Sequence, residues 1–200
     1  NSGLFGETDR HRRLTAEEAQ TVYTPDVCEV ACHGAHHGTL TACDSAVACG
    51  ELLEDRKMLE ALFDCQIHGL AYANGGVNDA VEQICQCAGI WYGRTVASSG
   101  DFQLPGNWLR MAPTCAHDDP RLMDLAAQFL ALQANKNPKL FFVWGHSYNF
   151  DDMKNWDVIE KFAARMTAKD DIWYATNMEV YLAHRDYTRL ESSADGTMIH

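Results

Sequence analysis

Two imidazoles four residues apart, His33 and His37, follow an alternating stretch at 27–31 that reads as a strand. On one helical turn that spacing puts both rings on the same face. Neutral imidazole is a common ligand for zinc and its neighbours, so the pair could aim two nitrogens at one metal ion. Position matters as much as spacing, because ligand-binding groups in α/β proteins gather beyond the carboxyl ends of strands. Against this, nine histidines in 200 residues produce close pairs without function, and the Glu of a His-Glu-x-x-His helix is missing. His146 stands just after the apolar run 140–144, where it is either a site residue or the cap of a turn. Tyr72 follows an expected strand at 67–71, while Trp108 and His117 lie in a long loop. The two aromatics are open to a second reading as core residues.

The elements that must position these groups alternate between β and α. Thr15 and Glu18 form a capping box that opens a short helix ending before Pro25. A strand at 27–31 leads to a long amphipathic helix at 45–64, with Leu52, Leu53, Met58, Leu59, Leu62 and Phe63 inward and Glu51, Glu54, Asp55, Lys57 and Glu60 outward. After the strand at 67–71, Asn78 caps a helix that stops at Gly89, and a strand is expected at 91–96. The loop 97–119 is long enough to suggest function, and Pro120 opens the next helix. A buried strand at 139–144, a helix at 156–166, a strand at 172–175 and a helix at 178–187 complete the pattern. Such alternation predicts a parallel sheet, as a barrel or a doubly wound layer, in one domain spanning 1–200. If the strand ends converge, His33, His37, Tyr72, Trp108, His117 and His146 surround one pocket.

A chain that is 46% hydrophobic and 22% charged has enough apolar residues for a full core. A net charge of −12 without a basic stripe argues against binding nucleic acid through its phosphates. No apolar run approaches the roughly 20 residues of a membrane span. The eight cysteines lack paired Cys-x-x-Cys knuckles and read as mostly buried thiols in a reducing compartment, so a cytoplasmic location is expected. Cys28 and Cys32 beside His33 would make a soft metal cluster, but strand alternation accounts for them equally well. The first residue, Asn1, and the polar last ten residues suggest a fragment.

Several stretches together resemble the polysaccharide deacetylase family with its NodB-type domain, in a bacterial branch. They are 29–40 (Glu-Val-Ala-Cys-His-Gly-Ala-His-His-Gly-Thr-Leu), 69–75 (Gly-Leu-Ala-Tyr-Ala-Asn-Gly), 101–110, 113–121 and 142–148 (Phe-Val-Trp-Gly-His-Ser-Tyr), with 155–159 and 171–177 closing the series. The resemblance runs in order through nearly the whole chain. It implies a distorted (β/α) barrel and metal-dependent hydrolysis of an N- or O-acetyl group on a carbohydrate. It assigns His33 and His37 to a divalent metal, zinc first with cobalt or nickel as alternatives, and His146 to general-acid catalysis. On the substrate side it points to Tyr72 and Asn74, whose loop helps hold the tetrahedral intermediate, to Trp108 as an apolar wall for the acetyl group, and to His117.

The chain also departs from the family pattern. No Thr-Phe-Asp-Asp-Gly motif supplies the catalytic base and third metal ligand, so the barrel is expected to lack its first strand or strands. Leu70 and Ala71 stand where an Arg is usual, with Arg94 or Arg110 as possible substitutes; Ala73 and Asn74 replace Pro-Tyr, and Ala116 replaces a histidine before His117. Loss of the base alone removes about 10²–10⁴-fold of rate. The resemblance thus implies a weak or inactive hydrolase, either truncated or catalytically lost. A non-catalytic carbohydrate-binding barrel and a metal hydrolase of a small non-sugar amide are the alternatives.

Overall fold

Parallel strand segments placed side by side organise the protein, as seen in a computed structural model that describes residues 1–133, 137–195, 197 and 199. The elements are α1 (Ala16–Val22), α2 (Ser45–Phe63), β1 (Gly69–Ala71), α3 (Asp79–Cys87), β2 (Tyr92–Arg94), β3 (Cys115–Ala116), α4 (Leu122–Leu130), β4 (Val143–Trp144), α5 (Ser147–Met153), α6 (Trp156–Met166) and α7 (Asn177–Thr188). β1 pairs with β2 and β3 with β4, both in parallel. Single parallel bridges from Cys32 to Leu70 and from Arg94 to Met111 extend the first pair on both sides. Because Met111 and β3 belong to one run of chain, the lateral order is 32, β1, β2, 111–116, β4. This is sequential parallel packing in an open arc, and no closed barrel forms among the described residues.

The helices cover the arc through two clusters of apolar side chains. Leu52 and Leu59 of α2 meet Ile67 and Leu70 near β1 and Val81 and Cys85 of α3 in the first. Cys115, Leu122 and Leu125 form the second with Phe102, Phe141, Val143 and Phe162. Helix boundaries follow their caps. Thr15 and Glu18 exchange hydrogen bonds at the start of α1, and the Asn78 side chain accepts from the Val81 amide (2.9 Å) at the start of α3. Thr176 and Glu179 make a second full capping box that starts α7 one residue before the expected position.

Several expectations are corrected. The segment 27–31 is not a strand: the amides of Val27 and Cys28 both bond the Thr24 carbonyl (3.1 and 2.9 Å), so a turn uses the donors a ladder needs. No strand forms at 172–175, where the Tyr174 hydroxyl donates back to the Met166 carbonyl (2.6 Å) and Trp173 is exposed. The expected long loop contains β3, and α5 occupies residues left without an element. Along α2, Leu53 and Met58 face solvent while Asp55, expected outside, is fully buried on the stripe Ala48, Leu52, Asp55, Leu59. Pro120 lies outside α4, two residues ahead of its first helical residue. All eight thiols are free, but only Cys32, Cys85 and Cys115 are buried, and Cys65 and Cys87 are exposed.

One carboxylate ties distant parts of the chain together. Glu29 accepts from the Tyr92 hydroxyl with one oxygen and from the Met178 amide (2.9 Å) with the other, so it joins β2 to the start of α7. It borders a cavity of about 460 Å³ whose other walls include Phe142, Val143 and Asn177.

Candidate functional site

Strand polarity sends the C-terminal ends of all five segments to one side. His33 follows the bridge at Cys32, Tyr72 follows β1, Arg94 ends β2, His117 follows β3, and His146 lies two residues beyond β4. The expected site is therefore built mainly from residues next to the last paired position of each segment.

His33 is fixed from two directions. Its amide donates to Oδ2 of Asp55 (2.7 Å), and its Nδ1 is 2.6 Å from the Ala71 carbonyl oxygen. The carbonyl can only accept, so Nδ1 carries the proton and the Nε2 lone pair is left for a ligand. Burial lowers the pKa of His33 to about 4, with His37 and Arg94 adding to the effect and the Ala71 bond opposing it. His37 stands edge-on to His33 with ring centroids 4.8 Å apart. Its backbone is left-handed (φ 61°), a conformation that costs a non-glycine residue free energy and turns the chain sharply after the pair. Asn74, also left-handed, donates from Nδ2 to Thr39 Oγ1 (2.7 Å) and so holds the loop after β1 against the loop after His37.

The far side of the group is aromatic and cationic. Arg94 lies over the Trp144 ring, with its guanidinium carbon 4.6 Å from the centroid. His117 is buried, stacks edge-on against Phe150 (4.6 Å), and has no hydrogen-bond partner at either ring nitrogen among the described residues. Gly145 makes this possible, because a Cβ there would lie 1.9 Å from His117 Nδ1. His146 packs near Trp144 and against Tyr148. Loss of solvent lowers its pKa, Arg94, His117 and His37 lower it further, and Asp118 opposes them. The imidazole is thus neutral at pH 7 and has to gain a proton before it can act as an acid.

Two of the expected residues contribute differently. Tyr72 is buried and its hydroxyl donates to the Leu109 carbonyl (2.8 Å), so only the backbone of its loop faces the site. Trp108 precedes the segment at 111–116 and therefore lies at the opposite end of the strands. There it packs on Tyr181 and His184 and helps line a groove of about 370 Å³ with Trp91. Of the two arginines, Arg110 is held by Asp79 and Glu82, whereas Arg94 reaches the strand-end group. Asp55 and Trp144 are the residues that sequence reasoning missed. An acid on the stripe Ala48, Leu52, Leu59 was a legible signal for the first; nothing in the spacing marked the second.

His33 and His37 suit two positions of a tetrahedral metal site, which in catalytic zinc proteins takes three protein ligands. Among the described residues no group of three or more His, Cys, Asp or Glu converges to hold a metal ion. The donor set is therefore incomplete.

No protein-family model matches the chain, and neither does any curated protein. Among solved structures, IcaB from Ammonifex degensii superposes with a TM-score of 0.53 at 13% identity, over 66% of this chain and 59% of that one. The Streptococcus pyogenes deacetylase PplD, solved in complex with acetate, gives 0.43 at 20% identity over 56% and 51%. The structural neighbours are polysaccharide deacetylases. They include a Bacillus anthracis CE4 family pseudoenzyme, BA3943, at 0.42 and 16% identity over 69% of this chain and 42% of that one. The chain spans less than two thirds of the length of each. What is shared with the deacetylases is the fold, in part, at identities too low to carry over residue roles.

Proposed function

We propose that this chain is a polysaccharide-deacetylase-type domain whose strand-end group binds an acetylated carbohydrate, with hydrolysis of the N- or O-acetyl group weak or absent in these 200 residues. The observation that carries the proposal is the fixed orientation of His33, which leaves Nε2 free beside the His37 ring at the carboxyl end of a parallel arc. In the full reaction a divalent metal, zinc or else cobalt or nickel, would polarise the acetyl carbonyl and activate water. His33 and His37 would hold that ion and His146 would protonate the leaving group, while the loop at 72–75, with Asn74, and His117 would orient the sugar. In this chain the described residues bring no group of three or more His, Cys, Asp or Glu together to hold the ion.

That deficit also supports a second reading, a non-catalytic carbohydrate-binding domain. Elemental analysis of the purified protein and of a His33→Ala, His37→Ala double variant, paired with acetate release from an N-acetylated oligosaccharide, separates the two. Zinc bound near stoichiometry and lost in the variant supports the deacetylase-type site. Sugar binding that a chelator leaves unchanged supports the binding domain. Robust metal-dependent acetate release by this chain would falsify the proposed loss of activity.

A further inference from the structure

The strand-end group contains a cation with no counter-ion. Arg56, Arg110 and Arg121 each close on a carboxylate. Arg94 meets none among the described residues, although it is half-buried in a chain of net charge −12. Among the described residues its guanidinium makes one hydrogen bond, a long one from Nη1 to the Thr95 carbonyl (3.3 Å), which leaves most of its five-donor fork unassigned. The ring beneath it has the same deficit: Trp144 Nε1 is buried and finds no acceptor among the described residues. His117, pressed against Gly145 on the same strand end, has one donor and one acceptor nitrogen, both unpartnered among the described residues. Buried donors without acceptors, and a buried charge without its opposite, each cost free energy. Of these groups Arg94, which is only half-buried, is the one an incoming anion can reach.

We infer that the free edge of the Arg94 guanidinium, stacked on the Trp144 ring, binds the carboxylate of an acidic saccharide. The choice of anion follows from Arg94. Its guanidinium carries one permanent charge on a planar fork that matches two coplanar oxygens, whereas a tetrahedral phosphate would bring close to two negative charges to a single fixed cation. The choice of a saccharide rests on the proposed function, and it narrows the substrate class from acetylated carbohydrates to those that also carry a carboxylate.

Calorimetric titration of the metal-free protein with sodium glucuronate, glucose, formate and inorganic phosphate tests this. Glucuronate is expected to bind about tenfold or more tightly than glucose, with formate as a weak competitor. Arg94→Met should abolish the preference, and Arg94→Lys, which keeps the charge but loses the fork, should restore only part of it. Circular dichroism and thermal unfolding establish that both variants fold, and the glucuronate-to-glucose ratio of the unaltered protein stands without any variant. Equal binding of glucuronate and glucose overturns the inference and leaves the carbohydrate reading intact. A preference that survives in folded Arg94→Met overturns it too. Phosphate bound more tightly than the carboxylates excludes a carboxylate site, and formate bound while neither sugar binds sinks this inference together with the carbohydrate reading.

Discussion

Asp55 shows how a single buried group can govern a site it does not enter. Its carboxylate accepts from the Ser2 amide and hydroxyl (both 2.7 Å) and from the His33 amide (2.7 Å), so one side chain fixes both an N-terminal turn and the first histidine of the pair. Replacing it with alanine strands those donors, and Asp55→Ala should lower stability by about 3 kcal/mol in urea titrations. Metal affinity should fall with it, because the His33 backbone loses its anchor even though the ring keeps its bond to the Ala71 carbonyl. Asp55→Asn keeps the shape but one of its two terminal atoms becomes a donor, so it should fall between the two. Gly145 makes a second prediction at this scale. Gly145→Ala drives a methyl group into His117, and should shift the His117 ring resonances and destabilise the protein, while alanine at Gly50, which has open space around it, should not. An unchanged His117 environment would contradict the packing described.

At the scale of elements, polar bonds at helix ends decide where the chain stops and starts. Beyond α2, Glu60 accepts from the Ile67 amide (2.9 Å) and pairs with Arg56 (2.8 Å), which brings the chain back toward β1. Partial burial pushes the Glu60 pKa up, but the Ile67 amide and Arg56 outweigh it, and the net shift is below the ordinary 4.5. A carboxylate with a lower pKa folded than unfolded contributes stability above the unfolded value, and the contribution disappears as pH falls through the folded one. Glu60→Gln should therefore flatten the stability profile below about pH 4.5. Thr176→Ala removes the capping box of α7 and should cost about 1 kcal/mol by thermal unfolding.

The helices were legible because their caps and apolar stripes are local: Thr15, Asn78, and Leu52 and Leu59 of α2 sit where the sequence places them. Strands were less so. The alternation at 27–31 satisfies a period-two pattern, but a turn at Thr24 competes for its amides, and β3 is too short to show any period. The site followed the same division. His146 was legible from its place after an expected strand, whereas His33 follows a strand that does not form and His117 follows β3, which was read as loop. Trp108 was not legible, since only the direction of the segment at 111–116 reveals which end of the sheet it occupies. Arg94 needed both strand polarity and the competing ion pairs of Arg110.

For the whole molecule, the open arc has two lateral margins among the described residues, at the buried Cys32 segment and at the half-buried β4. The Glu29 carboxylate that holds Met178 bears on the order of assembly. Its partner is 149 residues away in sequence, so the bond must close a very long loop before it contributes anything. The β1–β2 unit with α2 and α3 needs only short loops and can condense early, whereas α7 has to wait for both the turn at 24–28 and β2. In native-state hydrogen exchange the amides of α7 should open well before those of α2, and a protease should release this last helix while the rest of the protein is still folded.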